Sequence, residues 1–150
     1  MQLSDGQGKS VYILGGKEGV ADDAAIRLKE KYRGLIIAGT RNGYFNEEDE
    51  EEIVDEINRS GADVLLAALG VPKQEKFIYR YRDKLKVKIA MGVGGSIDIL
   101  AGKAKRAPEF YRKAGLEWFY RLIKEPWRAK RMLRLPRFII LAFYDAKTKH

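Results

Sequence analysis

Four short apolar runs, each closing on small or turn-forming residues, set the rhythm of the chain. Val11 to Leu14 stops at Gly15-Gly16, Leu35 to Ala38 gives way to Gly39, Val64 to Leu69 closes on Gly70, and Val87 to Met91 reads into Gly92-Val93-Gly94-Gly95. Between them the period changes. Val20 to Tyr32 places Ala21, Ala24, Ala25, Leu28 and Tyr32 at helical intervals. Asn46 stands as an N-cap before an acidic helix from Glu47 to Ser60, whose Glu47 to Glu52 suit the helix dipole and read as a solvated face. Pro72 opens a third helix that continues from Gln74 to Leu85. Strands alternating with helices predict an α/β fold with a parallel sheet and right-handed connections. In such sheets ligands collect beyond the carboxyl ends of the strands. The loops to inspect are therefore Gly15 to Lys17, Thr40 to Tyr44, Gly70 to Gln74 and Gly92 to Asp98.

The final third changes character. Ala107-Pro108 predicts the start of a helix through Lys113, Gly115 ends it, and Leu116 to Lys124 begins another carrying Trp118, Phe119, Leu122 and Ile123. Pro126 predicts a last helix reaching about Tyr144, interrupted at Pro136. The expected organisation is a sheet-forming region over 1–105 and a helical appendage over 106–150.

Charge sharpens that division. The net charge of +8 conceals two unlike halves: residues 1–75 hold 9 Lys and Arg against 15 Asp and Glu, a net of −6, and residues 76–150 hold 20 against 6, a net of +14. A cationic half of that kind meets phosphorylated substrate, anionic lipid or nucleic acid. Arg121, Lys124, Arg128 and Arg131 recur at spacings of three and four, one stripe on a continuous helix. Guanidinium groups suit a diphosphate because each presents a planar donor fork. The apolar run Phe138 to Tyr144 is too short to span a bilayer but can bury one face of an amphipathic helix at a headgroup boundary, with arginines facing anionic lipid. An ordinary core-packing helix with solvated charges fits the same periodicity. Without a membrane, those apolar residues would be covered by contact between copies, so a homo-oligomer is a further expectation.

At 150 residues and 45% hydrophobic content the chain suits a soluble domain with a real core. It has no cysteine, which excludes a disulfide scaffold and thiolate metal sites, and its one histidine is His150, so no histidine triad or zinc site is expected. No bound metal or other cofactor is expected. Residues 1–10 show no charged-then-apolar leader, which makes the cytoplasm the expected location.

Candidate chemistry lies in the exit loops. Gly92, Gly94 and Gly95 at a strand-to-helix turn can converge backbone N–H groups on a phosphate, or merely permit a tight connection. Gln74, in Lys73-Gln74-Glu75 at a helix start, can offer amide donors and an acceptor to a ligand, or face solvent. Asp98 can cap the helix after the glycines or grip a sugar hydroxyl. Tyr44 can stack on a nucleobase or pack as a rim residue on the acidic helix.

Taken in series, Gly70-Val71-Pro72-Lys73-Gln74-Glu75, Gly92-Val93-Gly94-Gly95-Ser96-Ile97-Asp98, Arg106-Ala107-Pro108, Gly115-Leu116-Glu117-Trp118 and Glu125-Pro126-Trp127-Arg128 closely resemble the WecG/TagA/CpsF glycosyltransferase family. The resemblance reaches back through Gly43-Tyr44-Phe45 and covers the chain from about Lys9. It implies a Rossmann-like fold and an inverting transfer of an N-acetylmannosamine-type sugar from a UDP donor to polyprenyl-diphosphate-linked N-acetylglucosamine. The work would be done peripherally at the inner face of the cell membrane, without a bound metal, and in wall teichoic acid synthesis it builds the linkage unit. Carried over by motif, Gln74 and Asp98 line the active site. The donor's phosphates are expected near Gly92, Gly94 and Gly95 and its uracil near Tyr44. Arg121, Arg128 and Arg131 belong to an appendage that closes over the site, contacts acceptor diphosphate and docks on the membrane. The resemblance also implies a further N-terminal region carrying an Asp-Gly general base, so this chain is expected to correspond to the C-terminal portion; Asp5-Gly6 runs directly into the first strand and is not expected to replace that motif. Asn42 stands where relatives often carry histidine. A nucleic-acid-binding module and a non-catalytic membrane-surface protein are the alternatives. The acidic front half and scattered aromatics argue against nucleic acid.

Overall fold

The computed structural model describes residues 8–104, 108–116, 120 and 123, which fall in two compact units, Met1–Lys105 and Arg106–His150. In the first, strands β1 (Ser10–Gly15), β2 (Ile36–Arg41), β3 (Val64–Ala68) and β4 (Ile89–Gly92) form a parallel sheet in the order β2-β1-β3-β4. Helices α1 (Val20–Lys31), α2 (Glu50–Arg59), α3 (Lys73–Tyr81) and α4 (Ser96–Leu100) alternate with them, and a 3₁₀ turn, Glu47–Asp49, leads into α2. The α/β class and the parallel sheet are as the apolar runs predict.

β1 is covered on both faces, which is why Val11 to Leu14 is apolar throughout. Alternation along it sends Val11 and Ile13 to one layer and Tyr12 and Leu14 to the other. The first layer is closed by α1, through Val20, Ala21, Ala24, Ala25 and Leu28, and by Ile97 and Ala101 from α4 and its cap. The second is closed by Ile53, Val54 and Ile57 of α2 and by Phe77 and Tyr81 of α3. The chain therefore winds β1 to β2 over one face and β2 to β3 to β4 over the other. The winding reverses between β1 and β3, and a crevice at such a reversal is the binding place of open α/β sheets.

At the opposite, amino-terminal edge of the sheet Asp63 ties three strands together. Its carboxylate accepts from the Ser10 N–H at 3.1 Å and the Lys88 Nζ at 2.5 Å, while its carbonyl accepts from the N–H groups of Lys88 and Ile89. The pull on the chain before Ile89 starts β4 two residues later than the apolar run suggests.

Three further sequence expectations need correction. β2 does not stop at Ala38 but continues through Gly39 to Arg41. Gly39 reads as a turn signal, yet its role is spatial: the register shifts between Val11 and Tyr12 so that Gly39 lies opposite Tyr12, and a Cβ on Gly39 would stand 2.6 Å from the Tyr12 ring. The acidic segment is not uniformly solvated either. Glu47, Glu48, Glu51 and Glu52 are exposed, but Glu50 is buried, its charge answered by Arg80 Nη1 at 2.8 Å. Helix α3 is also shorter than its pattern, because Lys84 and Leu85 both fold their N–H groups back onto the Tyr81 carbonyl.

In the second unit α5 (Glu109–Lys113) carries a Lys113–Glu109 pair at 3.1 Å, and the rings of Tyr111 and Tyr120 lie 5.3 Å apart. The remainder of the expected helical appendage, with Trp118, Trp127 and the arginine stripe, lies outside the described residues.

Candidate functional site

All four exit loops lie along the carboxyl edge of the sheet, and backbone hydrogen bonds join the first to the second and to the end of β3. The Gly16 N–H donates to the Ala68 carbonyl at 3.1 Å, linking β1's exit to β3, and the Gly43 N–H donates to the Gly16 carbonyl at 2.9 Å, linking β2's exit to β1. Gly16 takes a left-handed φ of 77°, a conformation glycine adopts without strain. The loop Gly15 to Gly19 ends at the N-terminus of α1, which no side chain caps. That places an uncapped helix N-terminus, with its partial positive charge, beside the β1/β3 reversal.

Gln74 joins the third loop to the fourth. The sequence leaves open whether it faces solvent; in the structure it is 4% exposed. Its Oε1 accepts from the Gly94 N–H at 3.1 Å and its Nε2 donates to Glu75 Oε1 at 2.8 Å. Gly92 is what makes room for it, since a Cβ on Gly92 would stand 2.5 Å from the Gln74 Nε2. The glycine turn and the Lys73-Gln74-Glu75 segment, 20 residues apart in sequence, therefore form one unit. Val93 N–H is likewise engaged, by the Ala67 carbonyl at 2.8 Å. The turn is held from beneath by β3 and from the side by Gln74.

Gly95 is the N-cap of α4 and Asp98 lies in that helix's first turn, half-buried. The helix has no side-chain cap, and the Asp98 carboxylate has no hydrogen-bond or ion-pair partner among the described residues; only its main-chain carbonyl is engaged, by Lys103 and Ala104. Of the two roles open to Asp98, the capping bond is not the one formed.

Tyr44 stands at the exit of β2, 70% exposed. The Asn42 side chain sets its backbone by accepting from the Tyr44 N–H at 3.0 Å. The packing on the α2–α3 side is done by its neighbour: Phe45 meets Phe77 edge-on at 6.3 Å between centroids. Lys73 Nζ lies 4.0 Å above the Phe45 ring and donates to the Phe45 carbonyl at 3.2 Å, fastening the start of α3 to the β2 loop. Tyr44 is thus left with a free ring face on a loop tied at both ends.

One group of residues had no functional reading in the sequence. Tyr12 Oη donates to Glu56 Oε1 at 2.5 Å, and Arg41 Nη1 donates to Glu56 Oε2, also at 2.5 Å. Burial, then the bond to Glu56, pushes the Tyr12 phenol well above its ordinary range. For Glu56 burial is the largest single influence and acts upward, but the bonds from Tyr12 and Arg41 outweigh it and hold the carboxyl below its usual range. Tyr12 hides in an apolar run and Glu56 in an acidic helix, so neither stands out in the sequence.

Arg121, Arg128 and Arg131 lie outside the described residues. Among the described residues no cluster of acidic, histidine or cysteine side chains is arranged to hold a metal ion, and no helix is long and apolar enough to cross a membrane.

The profile of the Glycosyl transferase WecG/TagA/CpsF family matches residues 1–150. The N-acetylglucosaminyldiphosphoundecaprenol N-acetyl-beta-D-mannosaminyltransferase of Bacillus subtilis (strain 168) is 38% identical over 141 residues, covering 94% of this chain and 54% of the relative. The protein of the same name from Bacillus spizizenii (strain ATCC 23059 / NRRL B-14472 / W23) is 39% identical over 139 residues, covering 93% of this chain and 53% of the relative. The chain spans about half the length of these curated relatives. With the family profile matched over its whole length, the chain belongs to the WecG/TagA/CpsF glycosyltransferase family.

Proposed function

We propose that this chain forms the donor-binding part of an inverting glycosyltransferase. The enzyme moves N-acetylmannosamine, or a related sugar, from a UDP donor to undecaprenyl-diphosphate-linked N-acetylglucosamine, as in assembly of the wall teichoic acid linkage unit. The observation that carries this reading is the buried Gln74 amide bound to the Gly94 N–H at the carboxyl edge of a parallel sheet. The names of the two Bacillus relatives supply the sugar and the lipid-linked acceptor.

In this reading Tyr44 stacks on uracil, using its free face. The donor's diphosphate lies between the uncapped N-terminus of α1, whose dipole favours negative charge, and the turn Gly92, Gly94, Gly95, which presents no side chain to block its approach. Gln74 holds that turn in shape and faces the transferred sugar, and Asp98 accepts hydrogen bonds from sugar hydroxyls. The acceptor's hydroxyl attacks the anomeric carbon from the face opposite UDP, the C–O bond to the β-phosphate breaks with its electrons, and configuration inverts. The hydroxyl proton passes to a general base. Arg121, Arg128 and Arg131 bind the acceptor diphosphate and bring the protein to the inner membrane surface. No metal or cofactor takes part.

Calorimetric titration with UDP tests the reading. The expected result is binding that weakens roughly tenfold in Gln74→Ala, which unties the glycine turn that receives the diphosphate, and in Asp98→Ala, which removes an acceptor for a ribose hydroxyl, about the worth of one hydrogen bond each. Absence of binding by the unaltered chain at millimolar UDP would overturn it, and tighter binding of a random oligonucleotide with steep salt dependence would favour the nucleic-acid alternative.

A further inference from the structure

We infer that Tyr12, Glu56 and Arg41 form a positioning relay for nucleotide recognition: the chain of hydrogen bonds from the sheet core through Glu56 to Arg41 fixes the β2 exit loop, and with it the ring of Tyr44. The inference rests on the donor-site reading given above. Three observations carry it. The first is placement: Arg41 is the last residue of β2, three positions before Tyr44, so its side chain controls the direction in which the strand releases the loop. The second is the way Glu56 is used. One carboxylate oxygen accepts from a phenol that is 1% exposed and rooted in the central strand, while the other accepts from the guanidinium. A carboxylate bound through both oxygens is fixed in rotation as well as position. The third is that the sheet makes room for the relay, with Gly39 opposite Tyr12 where any side chain would strike the ring.

Beyond Arg41 the loop is held by three further bonds, Gly43 N–H to the Gly16 carbonyl, Tyr44 N–H to the Asn42 side chain and Lys73 Nζ to the Phe45 carbonyl. Together with the relay these leave Tyr44 few directions in which to present its ring. A stacking platform fixed before the base arrives spares the ordering entropy that a mobile one would lose on binding. Tyr12 and Glu56 touch no ligand in this account. They act through Arg41 and the loop, and their effect should be confined to the base end of the nucleotide.

That confinement is the test. UDP affinity would be measured by calorimetry for the unaltered chain, Tyr12→Phe, Tyr44→Ala and the double variant, with inorganic pyrophosphate as a second probe and thermal melting as a check on folding. Tyr12→Phe keeps the ring and its packing and removes only the hydroxyl. The expected result is a UDP affinity loss of roughly three- to tenfold in Tyr12→Phe, the worth of one hydrogen bond. That loss should vanish when Tyr44 is already alanine, because the two changes act through one contact. Pyrophosphate affinity should not change. Arg41→Lys, which keeps the charge but not the fork, should reproduce the UDP effect in part, and Arg41→Ala in full. Equal UDP losses with and without Tyr44, or a parallel loss for pyrophosphate, would show a general structural role and overturn the inference, as would unchanged UDP affinity in Tyr12→Phe. Failure of the unaltered chain to bind UDP would instead remove the donor-site reading, and this inference with it.

Discussion

At the scale of single residues, the site is organised by what glycine leaves out. Gly92 carries no side chain, and the space is taken by the Gln74 amide. An alanine there would force the amide aside, breaking its bond to the Gly94 N–H and leaving buried polar atoms unpaired. Gly92→Ala is therefore expected to lower the stability of the fold by roughly 1–3 kcal/mol, the usual range for overpacking a filled site. It should also weaken UDP binding by at least as much as Gln74→Ala. Urea unfolding together with calorimetry reads both effects, and unchanged stability would mean that the amide has somewhere else to go. The sequence shows each motif, but not that the two touch. Glycine spacing alone could not distinguish a phosphate cradle from a seat for a distant side chain; in the structure Gly92 seats Gln74 and Gly94, 20 residues after it, binds it.

At the scale of elements, the strands and helices were legible because each apolar run is continuous and each helix carries one apolar stripe. What failed did so where a local signal was overridden by a distant partner. Gly39 marks no turn, since Tyr12 claims the room beside it. Glu50 is no solvated carboxylate, since Arg80 comes over from α3. The same kind of distant partner sets the amino-terminal edge of the sheet, where Lys88 first, and the Ser10 N–H second, hold the Asp63 carboxyl at about 2, below its ordinary value. A carboxyl depressed in the folded state stabilises the fold at pH values above its unfolded pKa of about 3.9, and that contribution is lost as the pH falls from there through about 2. Melting temperature followed from pH 7 to pH 2 should drop through this window, and the drop should be shallower in Asp63→Asn. The variant should also be less stable at neutral pH, because Lys88 loses its partner. Parallel acid profiles for the two proteins would assign the drop to other carboxylates, of which Glu56 and Glu51 are also held below their ordinary values.

At the scale of the whole molecule, the division of charge is the property with most bearing on where the protein works. The unit that carries the sheet, residues 1–105, holds 17 Lys and Arg against 17 Asp and Glu and is neutral, whereas residues 106–150 hold 12 against 4, a net of +8, so attraction to an anionic surface falls on the second unit. Under the proposed function this attraction has a purpose, because the acceptor's diphosphate sits at the headgroup level, where the arginines of residues 106–150 would meet it. The attraction is worth about 1 kcal/mol for each Lys or Arg brought near an anionic surface. Replacing Arg121, Arg128 and Arg131 together by alanine should then weaken binding to vesicles containing anionic lipid by about two orders of magnitude, each factor of ten being about 1.4 kcal/mol. Raising the salt from about 0.1 M to 1 M shortens the screening length from about 10 Å to 3 Å and should release the unaltered protein to a similar degree. UDP affinity in solution should be untouched by the triple change, which separates the membrane role of these arginines from the donor site. Flotation with neutral vesicles that matches flotation with anionic ones, or binding that persists at high salt, would show that apolar insertion rather than charge holds the protein there, and would leave the arginines to the acceptor alone.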